Sequence, residues 1–175
     1  MLSQATQSTH NFEMVHDHTR DVLPRDLVEQ TTRSVIDTFG KICGSEIVTH
    51  QEMLGGSERN KIVGIISFVG DLMWTLALIL PHDSAEAIAK KFAGFEIPYD
   101  CADMGDVVGE LINVLAGVLS GNLETVGYST NMSLPTVARG DAFELMLPDN
   151  LVSMRFFFSA SGIDFWVDVT AMRSH

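Results

Sequence analysis

The stretch DVVGELINVLAGVLSG, residues 106–121, decides how this chain is read. Asp106, Glu110, Asn113 and Gly117 recur at steps of four, three and four, which places them on one face of a 3.6-residue helix. Val107, Val108, Leu111, Ile112, Val114, Leu115, Val118 and Leu119 occupy the rest of the circumference. Such a helix is expected to be buried on most sides, leaving one narrow polar stripe for water or a partner. Asp106 is expected to cap its start. Gly109, Ala116 and Gly117 carry little or no side chain, so another backbone or molecule can come close to the stripe. Two glycines inside a helix cost about 1 kcal/mol each relative to alanine, which asks for a reason. The plain alternative makes Glu110 a solvated first-turn acid and Asn113 an ordinary surface amide. Against it, asparagine is a poor helix former because its amide competes for backbone hydrogen bonds.

Working outward, residues 26–40 read as an amphipathic helix behind Pro24, with Leu27, Val28, Thr31, Val35, Ile36 and Phe39 inward and Gly40 or Gly44 as its stop. A strand over 46–53 and a turn over 55–60 follow. Residues 61–69 and 72–80 form a hairpin turning at Gly70-Asp71. The run LMWTLALILP, 72–81, is too short to span a bilayer and reads as a buried strand. A short helix over 83–92 and a loop over 94–103 lead to the central helix. Then come a strand over 131–138 broken by Pro135, and a second hairpin, 151–160 with 163–171, turning at Ser161-Gly162. Phe156, Phe157, Phe158 and Trp166 read as buried strand residues.

Helix and three strands occur twice, so the chain is expected to be an α/β protein of the α+β type. Two pseudo-repeated halves would share a largely antiparallel sheet covered by long helices. Laying 26–33 over 106–113 matches Gln30 to Glu110 and Arg33 to Asn113, so only the second copy carries the Glu and Asn pair.

The 175 residues fit one domain, assigned to 21–175, with 1–20 a polar, loosely held extension. His10, His16 and His18 in that extension lack the further ligands of a metal site and read as a solvated tail. A net charge of -12 argues against nucleic acid or an anionic membrane surface as partner. Cys43 and Cys101 form no CxxC or ligand cluster, and no apolar leader opens the chain, which predicts a cytoplasmic protein with reduced thiols. No GxSxG, P-loop or HExxH motif is present.

Asp106, Glu110, Asn113 and, after 21 intervening residues, Pro135 resemble the signature of the CheC, CheX and FliY phosphatases of bacterial chemotaxis. The segment SLPTVARG, 133–140, is similar to the Pro-Thr-Val strand after the active helix of CheX-like members. The duplicated order over 22–172 resembles that family's fold, and a single Glu and Asn pair points to CheX rather than CheC. The resemblance implies a hydrolase that removes the aspartyl phosphate of a CheY-type receiver. Glu110 and Asn113 would be catalytic, Asp106, Gly117 and Pro135 supporting, with no metal of its own, Mg²⁺ held by the receiver, and a homodimer. The chemistry of the residues agrees. An amide does not titrate near neutral pH, so Asn113 is neither base nor nucleophile, but it can orient a water. An aspartyl phosphate is already activated and needs chiefly a water aligned for in-line attack. An ionised Glu110 one turn away can pair with a lysine beside the phosphoaspartate and fix the register. The rival reading keeps the fold and drops the chemistry: a non-catalytic receiver-binding or flagellar-switch-like module.

Overall fold

A computed structural model describes residues 23–52, 60–141 and 149–172. The turn expected over 55–60, apart from Asn60, and the histidines of the N-terminal extension lie outside the described residues.

The strands alternate apolar side chains with period two, and their β-branched and aromatic content suits a pleated surface. They are β1 (Val48–His50), β2 (Lys61–Gly70), β3 (Trp74–Pro81), β4 (Thr130–Met132), β5 (Thr136–Gly140), β6 (Leu151–Ala160) and β7 (Ile163–Met172). All pair antiparallel in one sheet of order β1-β6-β7-β3-β2-β4, with β5 also on β2. The β2–β3 and β6–β7 hairpins meet along β3 and β7, from Trp74 opposite Ala171 to Ile79 opposite Trp166. β1 pairs with β6 and not with β2, while β4 and β5 pair with β2 and not with β6. Each half therefore lends its first strand to the other half's hairpin.

Three helices, α1 (Arg25–Cys43), α2 (His82–Ala93) and α3 (Ala102–Thr125), cover one face of the sheet. Ile62, Ile66, Phe68, Leu76, Leu78, Leu80, Phe165, Val167 and Val169 meet Leu27, Val35, Phe39, Ile88, Val108, Leu111, Ile112 and Leu115 in one core. On the other face Val63, Ile79 and Trp166 form a smaller cluster with Ile65, Ala77 and Phe157. Trp166 is buried there beneath two cations, Lys61 Nζ 5.1 Å and Arg155 Cζ 5.5 Å from its ring, so charged side chains with apolar stems do the covering. Arg155 is held by a bidentate pair with Asp168 at 2.7 Å.

The element boundaries differ from the sequence reading where short-range signals are silent. Of the two glycines expected to stop α1, Gly44 does so after the helix runs on to Cys43; its φ of 63° fits a left-handed cap, and its N–H bonds to Gly40 O at 3.0 Å. The first hairpin turns over residues 71–73, one step beyond Gly70-Asp71, because Gly70 still pairs with Thr130. β1 is only three residues long. The second hairpin turns at Ser161-Gly162 as expected, with φ of 50° and 83°, the twist that matches a tight two-residue loop.

The largest change concerns α3, which starts four residues before Asp106. Its N-cap is Cys101, without a side-chain cap bond, and Asp103 is the acid of its first turn. Asp106 is therefore inside the helix and does not cap it. Burial decides this: Met104 is fully buried and begins the row Met104, Val108, Leu111, Leu115, Leu119 that faces the core. α3 is long and apolar enough to cross a membrane by length and composition, but half of its most apolar window is buried against the protein and it serves as the core helix of this fold.

Candidate functional site

α3 lies across β2 because β2 presents Gly64 beneath it. A methyl group at Gly64 would sit 2.9 Å from Ile112 Cγ2 and 3.2 Å from Val108 Cγ1, closer than such groups pack. Gly64→Ala is thus expected to overpack the seat of α3 and to lower stability by about 1–3 kcal/mol. Chemical denaturation read against the unsubstituted protein measures this; an unchanged midpoint would show that α3 lifts from the sheet without cost.

With α3 so seated, Asp106, Glu110, Asn113 and Gly117 are all exposed on its outer face, while Val108, Leu111, Ile112 and Leu115 are buried. Among the described residues, no hydrogen bond, ion pair or ring contact engages the side chains of Asp106, Glu110 or Asn113. They are available to a partner without breaking an internal contact. Gly117 faces open space, so a backbone can approach the helix one turn beyond Asn113. Gly109 does something different from what its place in the sequence suggested. It is buried and turned inward, and a methyl group there would touch Val137 Cγ2 at 3.6 Å and Pro135 Cγ at 4.0 Å. Pro135, half-buried, is thereby brought beside the residue preceding Glu110. Ala116 is buried as well and offers no access.

Arg139, on β5, carries a role that sequence reasoning missed. Its guanidinium donates to the carbonyl oxygens of Tyr99, Asp100 (3.3 Å) and Cys101 (3.4 Å) and lies 5.5 Å from the Tyr99 ring centre. It thus ties the α2–α3 connection to the sheet and fixes where α3 begins. Glu86 Oε1 accepts the Tyr99 N–H at 2.8 Å from the other side. The arginine stands within the SLPTVARG segment, but nothing in the spacing of that segment points to the carbonyls it meets.

The matching face of α1 is built otherwise. Gln30 is half-buried with its side-chain oxygen unpartnered, and Arg33 leans on Asp37 at 3.8 Å. An open groove of about 420 Å³ runs along Val28, Thr32, Arg33 and Ile36 on α1. It contains neither residue of the Glu and Asn pair. Ser34 of α1 accepts a hydrogen bond from Asn122 of α3 at 2.9 Å, locking the two helices together.

The remaining reactive groups offer little. Burial pushes the Cys43 thiol above its ordinary value, with the Lys91 charge opposing, so it is a poor thiolate. Among the described residues, no three His, Cys, Asp or Glu side chains converge on a metal position.

A largely antiparallel sheet covered on one face by three helices, with an outward Glu and Asn pair on the longest one, places the chain in the CheC-like fold. A CheC-like superfamily protein from Shewanella sp. PV-4 superposes with a TM-score of 0.70 at 18% identity, covering 85% of this chain and 98% of that one. The chemotaxis protein CheX of Vibrio vulnificus gives 0.71 at 17% identity, covering 82% and 97%. A CheX–CheY–BeF₃–Mg²⁺ complex from Borrelia burgdorferi gives 0.60 at 16% identity, covering 85% and 98%. At these identities the likeness is one of fold. The sequence profile described as chemotaxis phosphatase CheX matches residues 62–159, more than half of the chain, and the chain belongs to that family. The matched span runs from β2 into β6 and contains α3 and Pro135. No curated protein sequence matches the chain.

Proposed function

We propose that this protein hydrolyses the aspartyl phosphate of a CheY-type receiver domain and so ends a chemotaxis signal. The observation that carries the reading is the pair Glu110 and Asn113, exposed and unpartnered on a helix whose inner face is buried against the sheet. Membership of the CheX phosphatase family supports it, as does the fold shared with a CheX that was crystallised with CheY.

In this reading α3 docks against the phosphorylated face of the receiver. Glu110 pairs with a receiver lysine beside the phosphoaspartate and sets the register of the helix. The Asn113 side-chain amide holds a water in line with the phosphorus–oxygen bond that breaks. Water attacks phosphorus, the aspartyl carboxylate leaves, and inorganic phosphate is released. Mg²⁺ belongs to the receiver, where it neutralises charge on the phosphoryl oxygens. The described residues here provide no cluster of acids to hold it. Gly117 leaves room for the receiver backbone, Asp106 adds a charge at the rim, and Pro135 supports the helix through Gly109. The setting is the cytoplasm, with residues 21–175 acting as one domain behind the N-terminal extension.

The test is release of inorganic phosphate from a phosphorylated receiver with and without this protein. No acceleration at saturating protein sinks the hydrolase reading and leaves the receiver-binding module. We also propose a homodimer, joined through sheet edges. Light scattering is expected to give about twice the chain mass of 19.2 kDa; a single-chain mass at working concentration argues against it.

A further inference from the structure

The face of the sheet turned away from the helices has an apolar centre that no helix among the described residues reaches. Directly paired residues of antiparallel strands point to the same face, so the register sets His50, Phe157, Trp166, Ile79, Val63 and Ala138 in one row across six strands. Trp166, Ile79 and Val63, in the middle of the row, are 1%, 5% and 6% exposed. Lys61 and Arg155 lie over the Trp166 ring. Among the described residues, no hydrophobic side chain from outside the sheet joins this cluster.

The ends of the β5–β6 connection are diagonal corners of this face. β5 ends at Gly140, two residues past the row, and β6 begins at Leu151, six residues before the row on the opposite side. The corners stand four strand spacings apart across the sheet, about 19 Å, and eight residues apart along it, about 27 Å. The diagonal is about 33 Å, while the eleven steps from Gly140 to Leu151 reach at most about 36–40 Å. A route round the end of the sheet needs about 46 Å, more than the chain can span. The helices occupy the other face, so the direct line over the helix-free face is the one short enough. Residues 142–148, outside the described residues, read AFELMLP, with four large apolar side chains and a single charge. Left in water, a connection of that composition would forfeit the burial that the row beneath it offers.

We propose that this connection lies extended across the helix-free face as a third layer, packed on the row from Phe157 to Val63. Near-full extension imposes the two-residue alternation of a strand, which puts Phe143, Leu145 and Leu147 toward the sheet and Glu144 and Met146 toward water. The layer leaves α3 and the sheet edges, not this face, to partners. This placement does not depend on the phosphatase reading.

The test uses the full chain and two readouts. The first is the rate at which a maleimide modifies the new thiol in Leu145→Cys and in Met146→Cys, above the background of Cys43 and Cys101 in the unsubstituted protein. Leu145→Cys is expected to react at least about tenfold more slowly than Met146→Cys. Equal rates, or the reverse order, overturn the proposal. The second is thermal unfolding with acrylamide quenching of tryptophan fluorescence. Trp74 is stacked on Phe68 on the helix side and 3% exposed, so a rise in quenching reports Trp166. Phe143→Ser is expected to lower Tm by about 5–10 °C and to raise quenching, and Met146→Ser to leave both nearly unchanged. A neutral Phe143→Ser overturns the proposal. So does protection of Leu145→Cys that fades on dilution, since a second copy would then supply the layer.

Discussion

Asn113→Ala is expected to reduce phosphate release from the phosphorylated receiver by about 100-fold, the order seen when one positioned hydrogen-bonding group is removed from a transition state. Binding and stability are expected to stay nearly unchanged. The side chain is exposed and engages nothing within the protein, so its truncation empties no cavity and strands no buried partner. Alanine also suits a helix better than asparagine does. The loss should therefore fall on kcat while Kd and the denaturation midpoint hold. Single-turnover phosphate release together with receiver affinity checks this. Near-normal turnover in Asn113→Ala would remove the amide from the mechanism and leave α3 as a docking helix.

Glu110→Ala is expected to act on the complex itself. The carboxylate is solvated in the free protein and loses water on docking, where a lysine of the receiver must replace it. Removing one member of a desolvated, hydrogen-bonded charge pair costs about 2–5 kcal/mol, at least about 30-fold in affinity. The rate at saturating receiver should fall too, since the register that brings Asn113 to the phosphorus is lost. Gln30→Ala and Arg33→Ala, at the matching positions of α1, serve as controls and should leave turnover and affinity within about twofold. An affinity loss confined to the α1 variants would move the docking surface to the other helix.

The exposed stripe of α3 was legible in the sequence because it depends on helical period. Steps of four, three and four put Asp106, Glu110, Asn113 and Gly117 on one face whatever the tertiary packing, and α3 indeed exposes all four. The hairpins were legible through their alternation, and the second through its Ser161-Gly162 turn as well. What failed was whatever a distant contact decides. Asp106 read as a cap because Asp is a good one and the residues before it looked like loop, yet burial of Met104 carries the helix back to Ala102. Gly109 looked like an opening for a partner, but Val137 and Pro135, more than twenty residues away, lie against it. Arg139 showed no signal, since its partners are main-chain oxygens of another connection. The first strand of each half was expected from local composition, but no local pattern reveals that it pairs across to the opposite hairpin.

That crossing of first strands bears on how the chain reaches its working form. β1 must find β6 across most of the sequence, shown by His50 Nε2 lying 2.7 Å from Ser159 Oγ, 109 residues away. Pairings so remote are paid in loop-closure entropy before they return anything, which slows folding relative to a protein of local contacts. The second half, although it contains both Glu110 and Asn113, also lacks the strand on which α3 rests, because Gly64 belongs to β2 of the first. A gene encoding only that half would preserve the residues of the pair without the seat that aims them. Any ancestral single unit would then have needed a second copy of itself to build one complete sheet, and fusion of the two would have turned an association between molecules into one within a chain.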